Sequence, residues 1–174
     1  MADVLVIGGD AGLGAEVLRA ARSAGYAAAP CPREVIAAAD DADCDRLVLE
    51  LGRHAVLDVG EPVAADAGRM ARAAARAGAL SVLTSWIDVF DGHLQRPYVE
   101  SDEPWPTTAS GRARLATERA VAHANERHVI FRLGWVLGIS GPPIDDLAAR
   151  LGPEGTAVYR LVTNTDPEAV PTLI

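Results

Sequence analysis

A chain of 174 residues is long enough to bury the core of one domain, and its formal charge of −8 argues against a phosphate-backbone partner such as nucleic acid. No apolar stretch reaches the roughly 20 residues of a membrane span, and an apolar strand pattern begins at once, so we expect no leader. The cysteines form no CxxC pair, and the spacing of the histidines is not that of a zinc site. We therefore expect a cytoplasmic protein without a metal site.

Apolar runs alternate with helical patterns along the chain, beginning with a buried-strand pattern at Val4-Leu5-Val6-Ile7. The predicted strands are 4–7, 26–29, 55–59, 80–84 and 129–133, and the predicted helices are 15–24, 45–51, 64–76 and 110–125. This alternation predicts an α/β fold of the Rossmann type, a doubly wound parallel sheet with right-handed crossovers. The stretch 88–108 is long for a loop, which makes it a candidate functional region.

The turn between the first strand and the first helix is rich in glycine. In this setting glycines let the backbone approach a pyrophosphate, and the helix N-terminus offers N–H groups and a positive dipole to the anion. The turn is therefore predicted to bind a dinucleotide, although a tight turn without a ligand remains the alternative. Its spacing, Gly-x-x-x-Gly-x-Gly, differs from the general Gly-x-Gly-x-x-Gly fingerprint. The candidate cofactor-binding residues here are Gly8, Gly9, Asp10, Gly12, Leu13 and Gly14.

The end of the second strand bears on the choice of cofactor. An acidic residue there would favour NAD by binding the ribose, but the stretch 29–33 contains no acidic residue, and the first one after the strand is Glu34. Arg33 is placed to meet the 2′-phosphate of NADP, and its alternative role is that of a solvated surface arginine. The sequence therefore slightly favours NADP over NAD, and a protein that binds neither is the remaining alternative.

Four segments in the second half of the chain follow one another in a recognisable order. They are Thr84-Ser85-Trp86-Ile87-Asp88-Val89-Phe90-Asp91-Gly92, the stretch 97–104, the stretch 110–118 and the stretch 131–138. Together they resemble the dTDP-4-dehydrorhamnose reductase group of extended short-chain dehydrogenases. The resemblance implies an NAD(P)-binding domain over 1–140 and a truncated remnant of the substrate-binding lobe over 141–174. It also implies a sugar nucleotide as substrate and a homodimer formed through the helix that starts at Ser110.

The resemblance also points to altered catalytic residues. The family uses a Ser or Thr near the end of the fourth strand, which matches Ser85 or Thr84, and a Tyr-x-x-x-Lys pair at the start of the next helix. Those two positions are Ser110 and Arg114 in this chain. A serine hydroxyl is a far weaker acid than a phenol, and the planar fork of arginine is not equivalent to an ammonium group. Tyr98 is the best replacement for the missing acid, although packing of the loop is the favoured interpretation for it.

Several functions follow from this pattern. The preferred one is a catalytically altered short-chain dehydrogenase that binds NAD(P) as a binding or regulatory subunit. An NADP-dependent reductase that uses Tyr98 is an alternative. A cofactor-independent lyase, isomerase or cyclase would use Ser85 with the acidic loop, where ordinary turn and surface roles are favoured. The last alternative is a scaffold that docks on a full-length homologue. The loop residues concerned are Asp88, Asp91, His93, Glu100 and Asp102.

Overall fold

The computed structural model describes residues 3–10, 12–61 and 63–134. They form a five-stranded parallel sheet with the order β2-β1-β3-β4-β5 and flanking helices. The strands are β1 Val4–Ile7, β2 Ala28–Cys31, β3 Ala55–Asp58, β4 Leu80–Trp86 and β5 His128–Leu133. The helices are α1 Gly12–Ser23, α2 Arg33–Ala38, α3 Asp41–Leu51, α4 Ala64–Ala77 and α5 Ala109–Ala124, with a 3-10 turn at Ile87–Val89. The predicted α/β sheet of the Rossmann type is confirmed; the proposed lobe 141–174 lies outside the described residues.

The sheet is wound on both faces because alternate strand residues point to opposite sides. All four residues of β1 are buried. Val4 and Val6 pack with α1 on one face, while Leu5 and Ile7 pack with α2, α3 and α4 on the other. A further cluster joins α4 and α5 to Leu83 of β4. Among the helices in the described ranges, α1 therefore packs on one face of the sheet and α2 to α5 pack on the other.

Several elements differ from those predicted, and α1 begins three residues earlier than expected, at Gly12. β2 begins two residues later than expected, since its pairing with β1 sets Val4 opposite Ala28. α2 was not predicted, and its six residues are too few to show a helical period. α3 begins four residues earlier, at Asp41, because Asp40 and Asp43 form a capping box that satisfies free N–H groups of the first turn.

The order of the strands creates a crevice at the carboxyl edge of the sheet. From β1 the chain passes to β2 on one side, and it then crosses β1 to reach β3 on the other. The crossover connections therefore diverge between β1 and β3, and ligands of open α/β sheets bind at such a switch point. Of the helices in the described ranges, none is long and apolar enough to cross a bilayer. Within the same ranges no cluster of His, Cys, Asp or Glu is arranged to hold a metal ion.

Candidate cofactor crevice and active-site residues

The glycine turn brings α1 into close contact with the end of β1. A Cβ atom on Gly14 would lie 1.8 Å from the carbonyl oxygen of Gly8, so only glycine fits there. Gly8 and Gly12 have positive φ angles of 74° and 52°, which glycine adopts without strain. The amide of Gly8 donates to the carbonyl of Cys31 over 2.9 Å, which ties the turn to β2. The turn is thus fixed on its inner side by backbone contacts.

The outer side of the same turn is not covered by the residues that the structure describes. Apart from its chain neighbours and its own helix, no described residue has an atom within 4 Å of a Cβ placed on Gly12, and Asp10 is exposed. Leu13 packs beside the cluster under α1, which orients the first turn of the helix. Because the first N–H groups of a helix have no partner within it, this end of α1 presents donors and a positive dipole to the crevice. Such an arrangement is suited to a phosphate group.

The side chain of Arg33 reaches the carboxyl end of β3. Its Nη2 atom donates to Oδ1 of Asp58 over 2.7 Å and to the carbonyl of Val59 over 2.7 Å. Asp58 ends β3, and 6% of the surface of the whole residue is exposed. Burial raises the pKa of the Asp58 carboxyl, and the charge of Arg33 opposes that rise. The arginine predicted to read a 2′-phosphate at the end of β2 is therefore anchored two strands away, at β3.

The carboxyl end of β4 leaves buried polar atoms without partners. Within the described part of the chain, Ser85 Oγ, Trp86 Nε1 and Asp88 Oδ1 are buried and make no hydrogen bond. Thr84 has a structural contact, since its Oγ1 accepts a bond from the Gly60 amide at 3.0 Å. Of the two residues predicted to match the serine or threonine of the family, Ser85 is thus the one whose hydroxyl makes no hydrogen bond in the described part of the chain.

The first turn of α5 is packed directly against this end of β4. Thr108 caps the helix by accepting a bond from the Gly111 amide, and a Cβ atom on Gly111 would lie 2.1 Å from the carbonyl oxygen of Asp88. This close approach sets Arg114 beside Asp88, while Ser110 is exposed on the outer side of the helix start. The helix therefore places Ser110 and Arg114, which the sequence predicts at the family's Tyr and Lys positions, in different surroundings.

Arg114 is held by two carboxylates. Its Nη1 bonds Asp88 and its Nη2 bonds Oε1 of Glu61 at 2.6 Å, and the guanidinium lies 5.6 Å from the ring centroid of Trp86. Glu61 and Trp86 were not among the predicted site residues. The signal that could have found them is their position, since each follows or ends a strand at the carboxyl edge where ligands bind.

Tyr98 belongs to the loop that follows β4. Its hydroxyl donates to Oδ1 of Asp91 at 2.9 Å and accepts from the Gly92 amide at 2.8 Å. Its ring stacks on Phe90 with centroids 4.1 Å apart. The same loop is closed by Arg96, whose fork bonds both oxygens of Asp102. The structure thus brings Tyr98 to Asp91. Within the described ranges, Tyr98 makes no hydrogen bond to Ser85, Ser110 or Arg114.

The parallel sheet and its glycine turn define the class as a Rossmann-type α/β protein. A model of the RmlD substrate binding domain matches residues 63–162, which is more than half of the chain. The chain therefore belongs to this family. The dTDP-4-dehydrorhamnose reductase of Burkholderia thailandensis is 32% identical over 118 residues, which are 63% of this chain and 39% of that enzyme.

Solved structures show the same fold. The dTDP-4-dehydrorhamnose reductase of Bacillus anthracis in complex with NADP gives a TM-score of 0.73 at 23% identity, over 87% of this chain and 59% of that one. MoeE5 in complex with UDP-glucuronic acid and NAD gives a TM-score of 0.71 at 19% identity, over 86% of this chain and 60% of that one. The chain thus spans less than two thirds of the length of each of these relatives.

Proposed function

We propose that this protein binds a nicotinamide dinucleotide against the first turn of α1 and lacks the tyrosine–lysine hydride-transfer chemistry of its family. The observation that carries the proposal is the surroundings of Arg114. At the lysine position of the family motif stands a guanidinium bonded to Asp88 and Glu61. Four residues earlier, where the family has its acid, Ser110 is exposed. The protein would thus hold the cofactor as a binding or regulatory subunit.

The open side of the glycine turn supports the binding half of the proposal. The space beside Gly12 adjoins the free N–H groups of α1 and the crevice between β1 and β3. The related reductase and MoeE5 are solved with NADP and NAD respectively. A nicotinamide dinucleotide therefore suits the site. When bound, such a cofactor supplies or accepts hydride.

The catalytic half rests on what Ser110 and Arg114 can do. A proton donor in carbonyl reduction needs a pKa that can be brought near neutrality, and a serine hydroxyl does not meet this need. Arg114 keeps its charge, but its two carboxylate partners compete with a ribose for its N–H groups. Reduction of a 4-keto sugar nucleotide through Tyr98 is the alternative. We favour an anchoring role for Tyr98, because its hydroxyl donates to Asp91.

The binding half is tested by placing a charge in the open space beside the turn. Gly12→Glu adds bulk and negative charge where the phosphates would lie, while its matched control, Gly25→Glu, makes the same change in the turn that follows α1. Both glycines have positive φ angles, 52° and 89°, and in the described part of the chain no residue beyond their neighbours and their own helix lies within 4 Å of either Cβ position. Both variants therefore place a glutamate at a positive φ, with the larger departure from the left-handed region in the control, and only Gly12→Glu should abolish binding of NADH and NADPH in calorimetric titrations. Equal binding by the two variants would contradict the proposed site.

The catalytic half is tested by turnover. The wild-type protein, saturated with NADPH and given a dTDP-4-keto sugar, is expected to oxidise no NADPH above the rate without protein. Measurable turnover would contradict the proposal, and its loss in Tyr98→Phe would establish the reductase alternative. Binding without turnover is the result that the proposal predicts.

A further inference from the structure

Arg33 reaches across the sheet to a place that its sequence position does not suggest. It is the first residue of α2, directly after β2, yet its guanidinium bonds the end of β3. In the order β2-β1-β3 this displacement crosses two strand intervals, about 10 Å at the usual strand spacing. The side chain thus passes over the carboxyl end of β1, and it does not extend outward from β2.

Two glycines border the guanidinium. Nη2 of Arg33 lies 3.5 Å from the Cβ position of Gly8 and 3.7 Å from that of Gly60. Gly8 begins the glycine turn, and Gly60 follows β3 with a φ of 109°. The charge therefore lies at the switch point itself, between the two strand ends where the diphosphate of a dinucleotide crosses a doubly wound sheet.

The guanidinium is anchored through one nitrogen and still meets solvent. Its side chain is 26% exposed, whereas the side chain of Asp58 is 9% exposed. The hydrogen bonds that Arg33 makes within the described ranges all involve Nη2. Because a guanidinium carries five N–H donors in a fixed plane, the Nη1 and Nε donors are left for an anion in the crevice. Asp58 and Val59 thereby fix the direction in which these donors point.

We propose that Arg33 binds the diphosphate shared by NAD(H) and NADP(H), and that it does not read the 2′-phosphate by which they differ. The proposal rests on the proposed function, because it requires that a dinucleotide occupy the crevice. It replaces the expectation of an NADP preference with a cofactor site that accepts both nucleotides. Arg33 is then a binding residue, and Asp58 is the positioning residue that holds it.

The test compares two arginines of similar burial. Arg33→Gln removes the charge in the crevice. The control variant is Arg69→Gln, which removes the charge of an arginine on α4 whose side chain is 22% exposed and pairs with Asp66. Calorimetric titrations of each variant and the wild type use NADH, NADPH, ADP and adenosine 2′-monophosphate. Thermal melts check that both variants are folded, and Arg33→Lys, which keeps the charge, covers the case in which Arg33→Gln does not fold.

The expected result is a loss of affinity for NADH, NADPH and ADP by the same factor, about tenfold or more, in Arg33→Gln, since the bonds removed are charge-assisted. Affinity for adenosine 2′-monophosphate should not change, and Arg69→Gln should bind like the wild type. A loss confined to NADPH and adenosine 2′-monophosphate would overturn the inference, as would unchanged affinity for every ligand. Binding of neither cofactor by the wild type would instead overturn the proposed function together with the inference.

Discussion

Replacing Gly14 by alanine tests how closely the first helix is joined to the first strand. The new Cβ atom would lie 1.8 Å from the carbonyl oxygen of Gly8 and 2.6 Å from its carbonyl carbon. Both atoms belong to the backbone, so no side chain can rotate to relieve the contact. Separating the pair to 3.0 Å, the closest approach that real structures show, requires α1 and the turn to move apart by at least about 1.2 Å.

The size of the effect follows from two opposing contributions. Alanine in a helix is favoured over glycine by up to about 1 kcal/mol, whereas overpacking costs about 1–3 kcal/mol and sometimes more. A contact with rigid backbone belongs at the upper end, so we expect the free energy of unfolding to fall by about 2 kcal/mol. In a chain of this size that corresponds to a melting temperature lower by about 4–8 °C.

Urea denaturation followed by circular dichroism measures this change directly. The matched control is Gly68→Ala in α4, where the new Cβ atom would lie 3.4 Å from Cβ of Ala120, near ordinary contact. The control should be neutral or stabilised by up to about 1 kcal/mol. If Gly14→Ala were as stable as Gly68→Ala, with an unchanged denaturant slope, the close contact of α1 with the glycine turn would be refuted.

Three further changes test other parts of the structure. Hydrogen bonds from Arg96 lower the pKa of Asp102 to about 2. The contribution of Asp102 to the stability of the loop is therefore present above about pH 4 and is lost as the pH falls toward 2. Asp102→Asn should remove this pH dependence, measured as amide exchange in the loop. Asn125 is buried and donates to Ser81 Oγ and the Ala79 carbonyl; its change to alanine should cost about 1–3 kcal/mol in urea denaturation, and no loss would contradict the contact. Glu118 is 3% exposed and pairs with Arg132; Glu118→Gln should lower the free energy of unfolding by about 1–3 kcal/mol, with an unchanged melting temperature as the contrary result.

The strands that the sequence predicted best are those with continuous or alternating apolar residues. β1 agrees at both ends with its run of four apolar residues, each of which is buried. β2 agrees less well because an alanine run has no period, and its limits depend on pairing with β1. The predicted start of α3 was four residues late, although Asp40 and Asp43 stand at capping-box spacing before an apolar pattern and mark the observed start.

The site was predictable where it depends on the backbone and not where it depends on side chains. The glycine turn follows from local constraints, and its placement between a strand and a helix could be predicted from neighbouring residues. The partners of Arg33 and Arg114 could not, because Asp58 lies 25 residues from Arg33 and Glu61 lies 53 residues from Arg114. The order of the strands brings these pairs together, and no local pattern specifies it.

The proposed function depends on binding of a nicotinamide dinucleotide at the first turn of α1. Titration of the isotope-labelled protein with NADH, followed by amide NMR, tests it residue by residue. We predict that the amides of Gly12, Leu13 and Gly14 show the largest saturable shifts, followed by those of Arg33 and Gly60. Saturable shifts that leave this turn unchanged, or no shifts at millimolar cofactor, would contradict the claim.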